Sequence, residues 1–492
     1  MGVGAPRLSP YNKLLSRLFE FLALFSILRK AEGPHVITNH DPSSLEATHR
    51  RFLRNLCFIC DYEKGGDTTT AIAVEDQPDC FKFWVAANLT PTDKVIDFLS
   101  GVLNSLRGCE MLEGAQRQEL KDQLIKDSIM FAASRLKKET KMLSNAANKC
   151  THYLRNASSE VSVAELTALK NWLPQFKFNS TTDILPLCLA AYRSRSDPQM
   201  QTLQFLSRED NAALETAKAF RAVRHFVGRL AEHVRVPKQL VEDGSRLGTL
   251  LDSFRVGSIP APPPAMVPPA DGLTNLNSIA KRMLSAGEEG LSGIQHYLAR
   301  LDEQTRLEDK IRTMYDRENS QPNVHAELQM LEFFHRSERS FVDNDRYIAC
   351  SKLACLCCKL YFRHHPGRFR EPDSHQKAYT NWRPILLHEG EEDPLFIEQR
   401  RILSYVSQDI RNLVKDEIVR QKKSGISQPD SVTNITASID EPFDSSDFEF
   451  ESLSDYGTDN EATSVAEPTK VSLDSDGDDS ESDRDSDGGA AL

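Results

Sequence analysis

The chain has 492 residues, of which 39% are hydrophobic and 27% charged, so it is long enough for two or three domains and has the composition of a globular protein. Its ten cysteines are too sparse and uneven for the disulfide framework of a small secreted protein. No uncharged apolar run reaches the length of a membrane span, because Arg17 and Glu20 interrupt the most apolar N-terminal stretch, "LLSRLFEFLALFSIL". We therefore expect an intracellular protein, cytoplasmic or nuclear, with reduced thiols and no membrane partner.

The first elements are a helix and a β-hairpin. The apolar N-terminal stretch predicts an amphipathic helix within a helical segment, residues 1–45. Residues 46–91 contain "TTTAIAVEDQPDCFKFWVAAN", in which apolar residues alternate on both sides of an Asp-Gln-Pro-Asp turn. This alternation predicts a β-hairpin over residues 68–88. Cys57 and Cys60 precede it without a second ligand pair nearby, so we expect them to pack on the face of a helix.

A long helical stretch and a proline-rich linker follow. Apolar residues recur at helical spacing from about Thr92 to Arg255, as in "NAALETAKAFRAVRHFVGRLAEHV". The stretch "SIPAPPPAMVPPADG", residues 258–272, contains six prolines and no periodicity, which predicts an extended connector. We assign residues 92–315 to a mainly helical segment that includes this linker.

The negative charge of the chain is concentrated at its end. The formal net charge is −12, but from Glu441 onward 17 acidic residues stand against Lys470 and Arg484. The preceding 440 residues therefore carry only about +3. Residues 427–492 are rich in Ser, Asp and Gly and poor in apolar side chains, which predicts a disordered acidic tail. The tail either keeps the chain soluble or binds a basic partner.

The chemistry-bearing residues lie in "NVHAELQMLEFFHR" and "RYIACSKLACLCCKLYF". The first stretch predicts a helix with Asn323 as its N-cap and with His325 and Glu327 in its first turn. The second predicts a short buried strand, "RYIAC", followed by another helix. The order is therefore His-x-Glu, 27 residues, then Cys-x-x-Cys, placed on helix, strand and helix.

A zinc ion held by His325, Cys355 and Cys358 accounts for these residue types. Three protein ligands leave the fourth tetrahedral position to water, which is typical of a catalytic site. Glu327, two residues from a ligand, is placed to take a proton from that water and return it to a substrate nitrogen. Helical spacing puts Cys355 and Cys358 on one face and turns Cys357 away from it.

A structural zinc site is the alternative to this catalytic one. Cys357 or His335 would then fill the fourth position, and the site would have no need of Glu327. Cys350 ends the predicted strand five residues before the first ligand cysteine, and we expect it to be a core thiol rather than a ligand.

His325-Ala326-Glu327 with Cys355-x-x-Cys358 resembles the zinc signature of the cytidine deaminase-like superfamily. The stretches "VHAELQML" and "YIACSKLACLCCKLYF" are similar to fungal nucleic-acid-deaminase-like proteins of the Orientia-type deaminase family. One departure is Ala354, where members of the superfamily usually have proline.

The resemblance implies an α/β fold with a cytidine deaminase-like three-layer core. In that fold a hairpin precedes the His-x-Glu helix, and the Cys-x-x-Cys helix follows the next strand. Residues 46–91 and 316–425 would then be the two parts of one deaminase-like domain, and residues 92–315 a large helical insertion within it.

The resemblance further implies hydrolytic deamination of cytosine or adenine, in nucleic acid or a nucleoside, with Zn²⁺ as cofactor. It assigns the metal to the three ligands above, proton transfer to Glu327 and base hydrogen bonding to Asn88. Trp84, Trp382 and Tyr379 are candidates for base stacking. The alternative is a catalytically inactive deaminase-fold protein with a structural zinc, which binds protein partners through its insertion and tail.

Overall fold

The computed structural model describes residues 7–28, 44–154, 161–177, 184–208, 214–284, 290–315 and 321–423. By its internal contacts the chain divides into Met1–Glu451 and Ser452–Leu492, and every described residue belongs to the first unit. The predicted acidic tail, residues 427–492, lies outside the described residues. Among the described helices, none has the length and apolar character needed to cross a membrane.

Helices make up most of the described chain. The N-terminal ones are α1 (Pro10–Leu28) and α2 (Leu45–Cys60), so the predicted N-terminal helix is confirmed, but α1 is buried on all sides from Leu18 to Phe25 and is not amphipathic. The middle of the chain forms α3 (Asp93–Leu106), α4 (Gly114–Phe131), α5 (Ala133–Tyr153), α6 (Val163–Trp172), α7 (Ile184–Ser194), α8 (Pro198–Leu206), α9 (Leu214–Gly244) and α10 (Gly248–Asp252). The later helices are α11 (Leu276–Met283), α12 (Leu291–Thr305), α13 (Leu307–Tyr315), α14 (Ala326–Arg336), α15 (Leu356–His364) and α16 (Phe396–Lys423).

Four strands form one mixed sheet in the order β3-β2-β1-β4. They are β1 (Thr70–Asp76), β2 (Phe81–Ala87), β3 (Phe254–Ser258) and β4 (Ala349–Cys350). Strands β1 and β2 form the predicted hairpin, with Thr70 opposite Ala87, and β4 runs antiparallel to the other side of β1. The strand before the Cys-x-x-Cys helix therefore lies beside the hairpin.

The prediction of helix up to Arg255 is wrong at its end, because Phe254–Ser258 is β3, which pairs in parallel with β2. Glycine is required in this strand. A Cβ atom on Gly257 would lie 2.9 Å from the Trp84 ring and 2.8 Å from the Lys82 side chain of β2. A five-residue strand directly after a helix has too little periodicity to be recognised, and its pairing partner lies far away in the sequence.

The sheet is covered by helices on both faces. Ile72 and Val74 of β1 share a hydrophobic cluster with α2 and α3, whereas Ala71 and Ala73 face the cluster that contains α14 and α15. Successive strand residues point to opposite faces, and the two alanines let α14 approach the sheet closely. The predicted α/β class with a layered core is confirmed. The proposed division of the chain into domain parts remains a prediction.

Candidate metal centre

The start of α14 places His325 and Glu327. His325 is the N-cap residue with extended backbone, and Glu327 lies in the first turn. The prediction of Asn323 as N-cap is wrong, because Asn323 lies two residues before the N-cap and its backbone pairs with residues 381–383. Its N–H donates to Asn381 O at 2.6 Å, and its carbonyl accepts from Arg383 N–H at 3.0 Å.

Two amide side chains fasten this helix start to the end of β2. Asn88 Oδ1 accepts a hydrogen bond from Ala326 N–H at 2.9 Å, which satisfies one of the free N–H groups of the helix N-terminus. Gln329 Nε2 donates to Ala87 O at 2.9 Å and to Val324 O at 2.8 Å. The His-x-Glu turn therefore has a defined position relative to the sheet.

The two cysteines predicted to be ligands lie at the start of α15. Cys355 is the N-cap, and its Sγ accepts a hydrogen bond from Cys358 N–H at 3.4 Å. A neighbouring loop holds the residues around it, since Ala354 N–H donates to Asp373 O at 2.9 Å and Leu356 N–H to Lys377 O at 2.8 Å.

The structure brings His325, Cys355 and Cys358 together. His325 Nδ1 lies 3.5 Å from Cys355 Sγ and 3.4 Å from Cys358 Sγ, and the three atoms all lie within 4.8 Å of one another. With bonds of about 2.3 Å to sulfur and about 2.1 Å to nitrogen, a tetrahedral zinc ion would separate nitrogen and sulfur by about 3.6 Å. The donor set and its spacing therefore fit a zinc ion.

Hydrogen-bond donors surround the two sulfur atoms. Trp382 Nε1–H donates to Cys358 Sγ at 3.2 Å. The thiol of Cys357 hydrogen-bonds to Cys355, which lowers the pKa of Cys355 and raises that of Cys357. Donors of this kind orient metal-binding groups and stabilise thiolates. Cys357 lies outside the group of three side chains, as the helical spacing predicts, yet it contacts Cys355.

The charges within the cluster oppose the effect of burial. Burial lowers the pKa of His325, but the charge and hydrogen bond of Cys355 and the charge of Glu327 outweigh it and raise that pKa to about 9. Burial raises the pKa of Cys355, and the hydrogen bonds from its neighbours together with His325 bring it well below the usual value. His325 is therefore an imidazolium beside the thiolate of Cys355, and a divalent cation can replace the proton on His325.

Glu327 lies at the edge of the cluster. Its side chain is 5% exposed, and its Oε1 is 3.9 Å from His325 Nδ1. Burial raises the pKa of Glu327, and the positive charge of His325 acts in the opposite direction. The carboxylate is therefore close enough to exchange protons with a group at the cluster.

The alternative fourth ligands are not in this cluster. In the part of the chain that the structure describes, neither Cys357 nor His335 joins the three ligand atoms within ligand distance. His335 instead groups with His365 and Glu398, its Nε2 lying 3.2 Å from Glu398 Oε1.

We assign no metal to that second group. Nδ1 of His365 accepts a hydrogen bond from Gly367 N–H at 3.1 Å, so the ring proton lies on Nε2. Burial lowers the pKa of His365 to about 4, which keeps the ring neutral. A nitrogen that carries the proton has no lone pair to offer a metal.

The residues predicted to contact a base differ in their distance from the cluster and in their exposure. Asn88 uses both ends of its amide within the protein, since its Nδ2 also donates to Gly66 O at 2.8 Å. Trp84 donates to Glu75 at 2.7 Å, and Trp382 is buried behind Cys358. Tyr379 is half-buried, and its ring centroid lies 6.2 Å from that of His325. It is therefore the one of the three aromatic candidates that is both next to the cluster and partly exposed.

The paired cysteines before the hairpin are structural. Cys57 and Cys60 lie on α2 and are completely buried. Burial raises the pKa of both thiols, so they stay protonated. The prediction that they pack on a helix face is confirmed.

Sequence reasoning missed the groups that support the ligands. Trp382, Gln329 and Cys357 contact the site through hydrogen bonds that no spacing rule encodes. For Gln329, the signal was available as a buried amide one turn after the His-x-Glu pair. For Trp382, the sequence offers only an aromatic residue in a loop.

The fold and site define a layered α/β protein with one His and two Cys side chains arranged as for a metal. Residues 324–386 match the family model described as OTT_1508-like deaminase, a match that supports a cytidine deaminase-like family. The matched segment contains Glu327, Trp382 and all three clustered side chains. No curated protein and no solved structure matches the chain.

Proposed function

We propose that this protein is a zinc-dependent nucleobase deaminase that hydrolyses the exocyclic amino group of cytosine or adenine. The observation that carries the proposal is the buried carboxylate of Glu327 beside the His325, Cys355 and Cys358 cluster, within a segment that matches a deaminase family. A purely structural metal site has no use for a buried carboxylate at its edge.

Zinc held by these side chains would polarise water and lower the pKa of that water to about 7. Glu327 takes one proton from the attacking water as its oxygen bonds to C4 of cytosine or C6 of adenine. Glu327 passes that proton to the neighbouring ring nitrogen, N3 of cytosine or N1 of adenine. It then moves the second proton, from the new hydroxyl group, to the amino nitrogen, and the C–N bond breaks. Ammonia leaves, and the ring retains the oxygen as a carbonyl.

Tyr379 is our candidate for contact with the base. Its ring lies beside His325 and is partly exposed, which suits stacking against a flat aromatic substrate. Asn88 remains a candidate for hydrogen bonding to the base. Its Oδ1 holds the start of α14 and one N–H of its Nδ2 donates to Gly66 O, so we expect any contact with substrate to use the second N–H of the amide nitrogen.

The first test combines metal content with one substitution. The purified full chain should hold about one zinc per molecule, as a three-ligand site requires. Glu327→Gln should keep the zinc and lower deamination at least about a hundredfold, because it cannot accept the proton. The panel consists of cytidine, deoxycytidine, adenosine, deoxyadenosine, single-stranded DNA and single-stranded RNA, with ammonia release as the readout.

Glu332→Gln is the matched control. Glu332 is also a buried glutamate of α14, but it accepts hydrogen bonds from Tyr361 and Arg336 away from the cluster. This variant should keep both zinc and activity. A wild-type chain that holds zinc and deaminates nothing on the panel would favour the non-catalytic alternative. A chain that binds no zinc would refute the metal site itself.

A further inference from the structure

The thiol of Cys350 differs from the other nine thiols of the chain. All ten cysteines are free and lie in the described residues; nine are buried, and Cys350 is partly exposed. Its Sγ lies 3.8 Å from Glu327 Oε2, within the range of an S–H···O hydrogen bond. The residue predicted to be a core thiol therefore contacts the proposed proton carrier.

Strand pairing determines where this side chain points. Cys350 stands opposite Ala71 of β1, and Ala349 stands opposite Ile72. Ala349 belongs to the hydrophobic cluster on the α2 side, so the alternation of strand residues turns Cys350 toward α14. The next residue is also held, because Ser351 N–H donates to Thr70 O at 2.9 Å.

The hydrogen bond has a defined direction. Burial and the negative charge of Glu327 raise the pKa of Cys350 well above the usual value, so the thiol keeps its proton and donates it. The contact also distinguishes the two carboxylate oxygens. Oε2 faces Cys350, and Oε1 is the oxygen nearest the ring nitrogen of His325, at 3.9 Å.

We propose that Cys350 is a positioning residue, whose thiol holds Glu327 Oε2 so that Oε1 faces the metal cluster. This inference rests on the proposed role of Glu327 in proton transfer. Without the thiol, the carboxylate can rotate about its last side-chain bond, and the oxygen that exchanges protons loses its orientation.

The kinetic test compares Cys350→Ala with Cys350→Ser on whichever panel substrate the wild type deaminates. Loss of one hydrogen bond to a charged group should lower kcat for Cys350→Ala about tenfold and change KM less than about threefold. Cys350→Ser retains a donor and should recover kcat to within about threefold of the wild type. Equal losses in both variants would show that the volume of the side chain matters rather than its proton, and would overturn the proposal.

A second measurement tests the contact without any activity. Iodoacetamide is added to the zinc-loaded full chain, and mass spectrometry follows alkylation at Cys350. Glu327→Gln removes the charge that raises the thiol pKa, so Cys350 should react at least about threefold faster than in the wild type. Glu332→Gln should leave the rate unchanged.

The two measurements separate this proposal from the proposed function. Equal alkylation rates in the wild type and Glu327→Gln would overturn the contact, even in an active deaminase. A faster rate in Glu327→Gln, combined with a wild type that deaminates nothing, would uphold the contact while rejecting the deaminase activity.

Discussion

The sulfur atoms of Cys355 and Cys358 each accept a hydrogen bond from an N–H group that is not one of the three candidate ligand atoms. Cys358 accepts from Trp382 Nε1–H at 3.2 Å, and Cys355 accepts from the backbone N–H of Cys358 at 3.4 Å. Each donor stabilises negative charge on a buried sulfur atom, whose ionisation burial otherwise opposes. At the scale of single residues, these donors determine how readily the cluster accepts a cation.

Trp382→Phe should weaken zinc binding because it removes the donor to Cys358 while keeping an aromatic ring. Substitutions of such supporting groups typically lower metal affinity about 10- to 100-fold. Competition with a chromophoric chelator measures the change. Trp172→Phe is the matched control, since its Nε1–H donates to Asp197 at 2.8 Å within the helical region. Equal affinity in wild type and Trp382→Phe would contradict the assigned role of the indole.

At the scale of elements, one buried carboxylate joins the helical region to the strand before the cysteines. Asp61 follows α2 and is 1% exposed. Arg135 of α5 lies 3.1 Å from its carboxylate, and the hydroxyl of Ser351, directly after β4, donates to it at 3.3 Å. The positive charges of Lys352 and Arg135 help to keep the pKa of Asp61 low despite its burial. The helical region therefore supports the segment that carries Cys350.

Arg135→Met should destabilise the protein, because it removes the cation that Asp61 and Glu139 share and leaves Lys352 beside Asp61 and Arg229 beside Glu139. Removing one partner of a buried ion pair costs about 3–5 kcal/mol in free energy of unfolding. Urea unfolding followed by circular dichroism measures this loss. Arg312→Met is the control, because Arg312 is 59% exposed in its pair with Glu308 and should change stability by less than about 1 kcal/mol. Similar losses in the two variants would show that the buried ion pairs contribute no more to the free energy of unfolding than the exposed pair.

At the scale of the whole molecule, the candidate ligands come from two helices, α14 and α15, and strand β4 lies between them in the sequence. His325 caps α14, and Cys355 and Cys358 begin α15. A metal bound to all three would link these helices in the folded state only. Binding to the folded state alone stabilises it by about 2.7 kcal/mol when free metal is a hundred times the Kd.

Zinc should therefore raise the Tm of the chelator-stripped full chain, and the effect should weaken in acid. The metal must displace the proton of His325, whose pKa is about 9, and that of Cys358, whose pKa burial raises. Below pH 9 both groups are protonated, so zinc binding releases two protons. The apparent zinc affinity should therefore drop by up to about a hundredfold for each unit by which the pH falls. Thermal unfolding in zinc buffers between pH 6 and pH 8 measures the dependence.

Variants of the two histidine clusters provide the control for the zinc effect. His325→Ala should abolish the rise in Tm, whereas His335→Ala should retain it, because His335 belongs to the group to which we assign no metal. A zinc response lost in His335→Ala and kept in His325→Ala would reverse the assignment of the two clusters.

The sequence by itself predicted the features that depend on local pattern and residue type. Alternating apolar residues predicted the hairpin, because a strand shows its two faces every second residue. The His-x-Glu and Cys-x-x-Cys spacing identified the side chains that the structure brings together, because donor type and helical spacing limit which groups can share a metal.

The tertiary structure decided which distant groups surround that cluster. The hydrogen bonds from Trp382 to Cys358, from Cys350 to Glu327 and from Ala326 to Asn88 join residues that lie 24, 23 and 238 positions apart. Periodicity reports only how a segment presents its faces to a core, whereas these contacts depend on how separate segments pack. For the same reason the strand at Phe254–Ser258 was missed, since its partner is β2, far upstream in the chain.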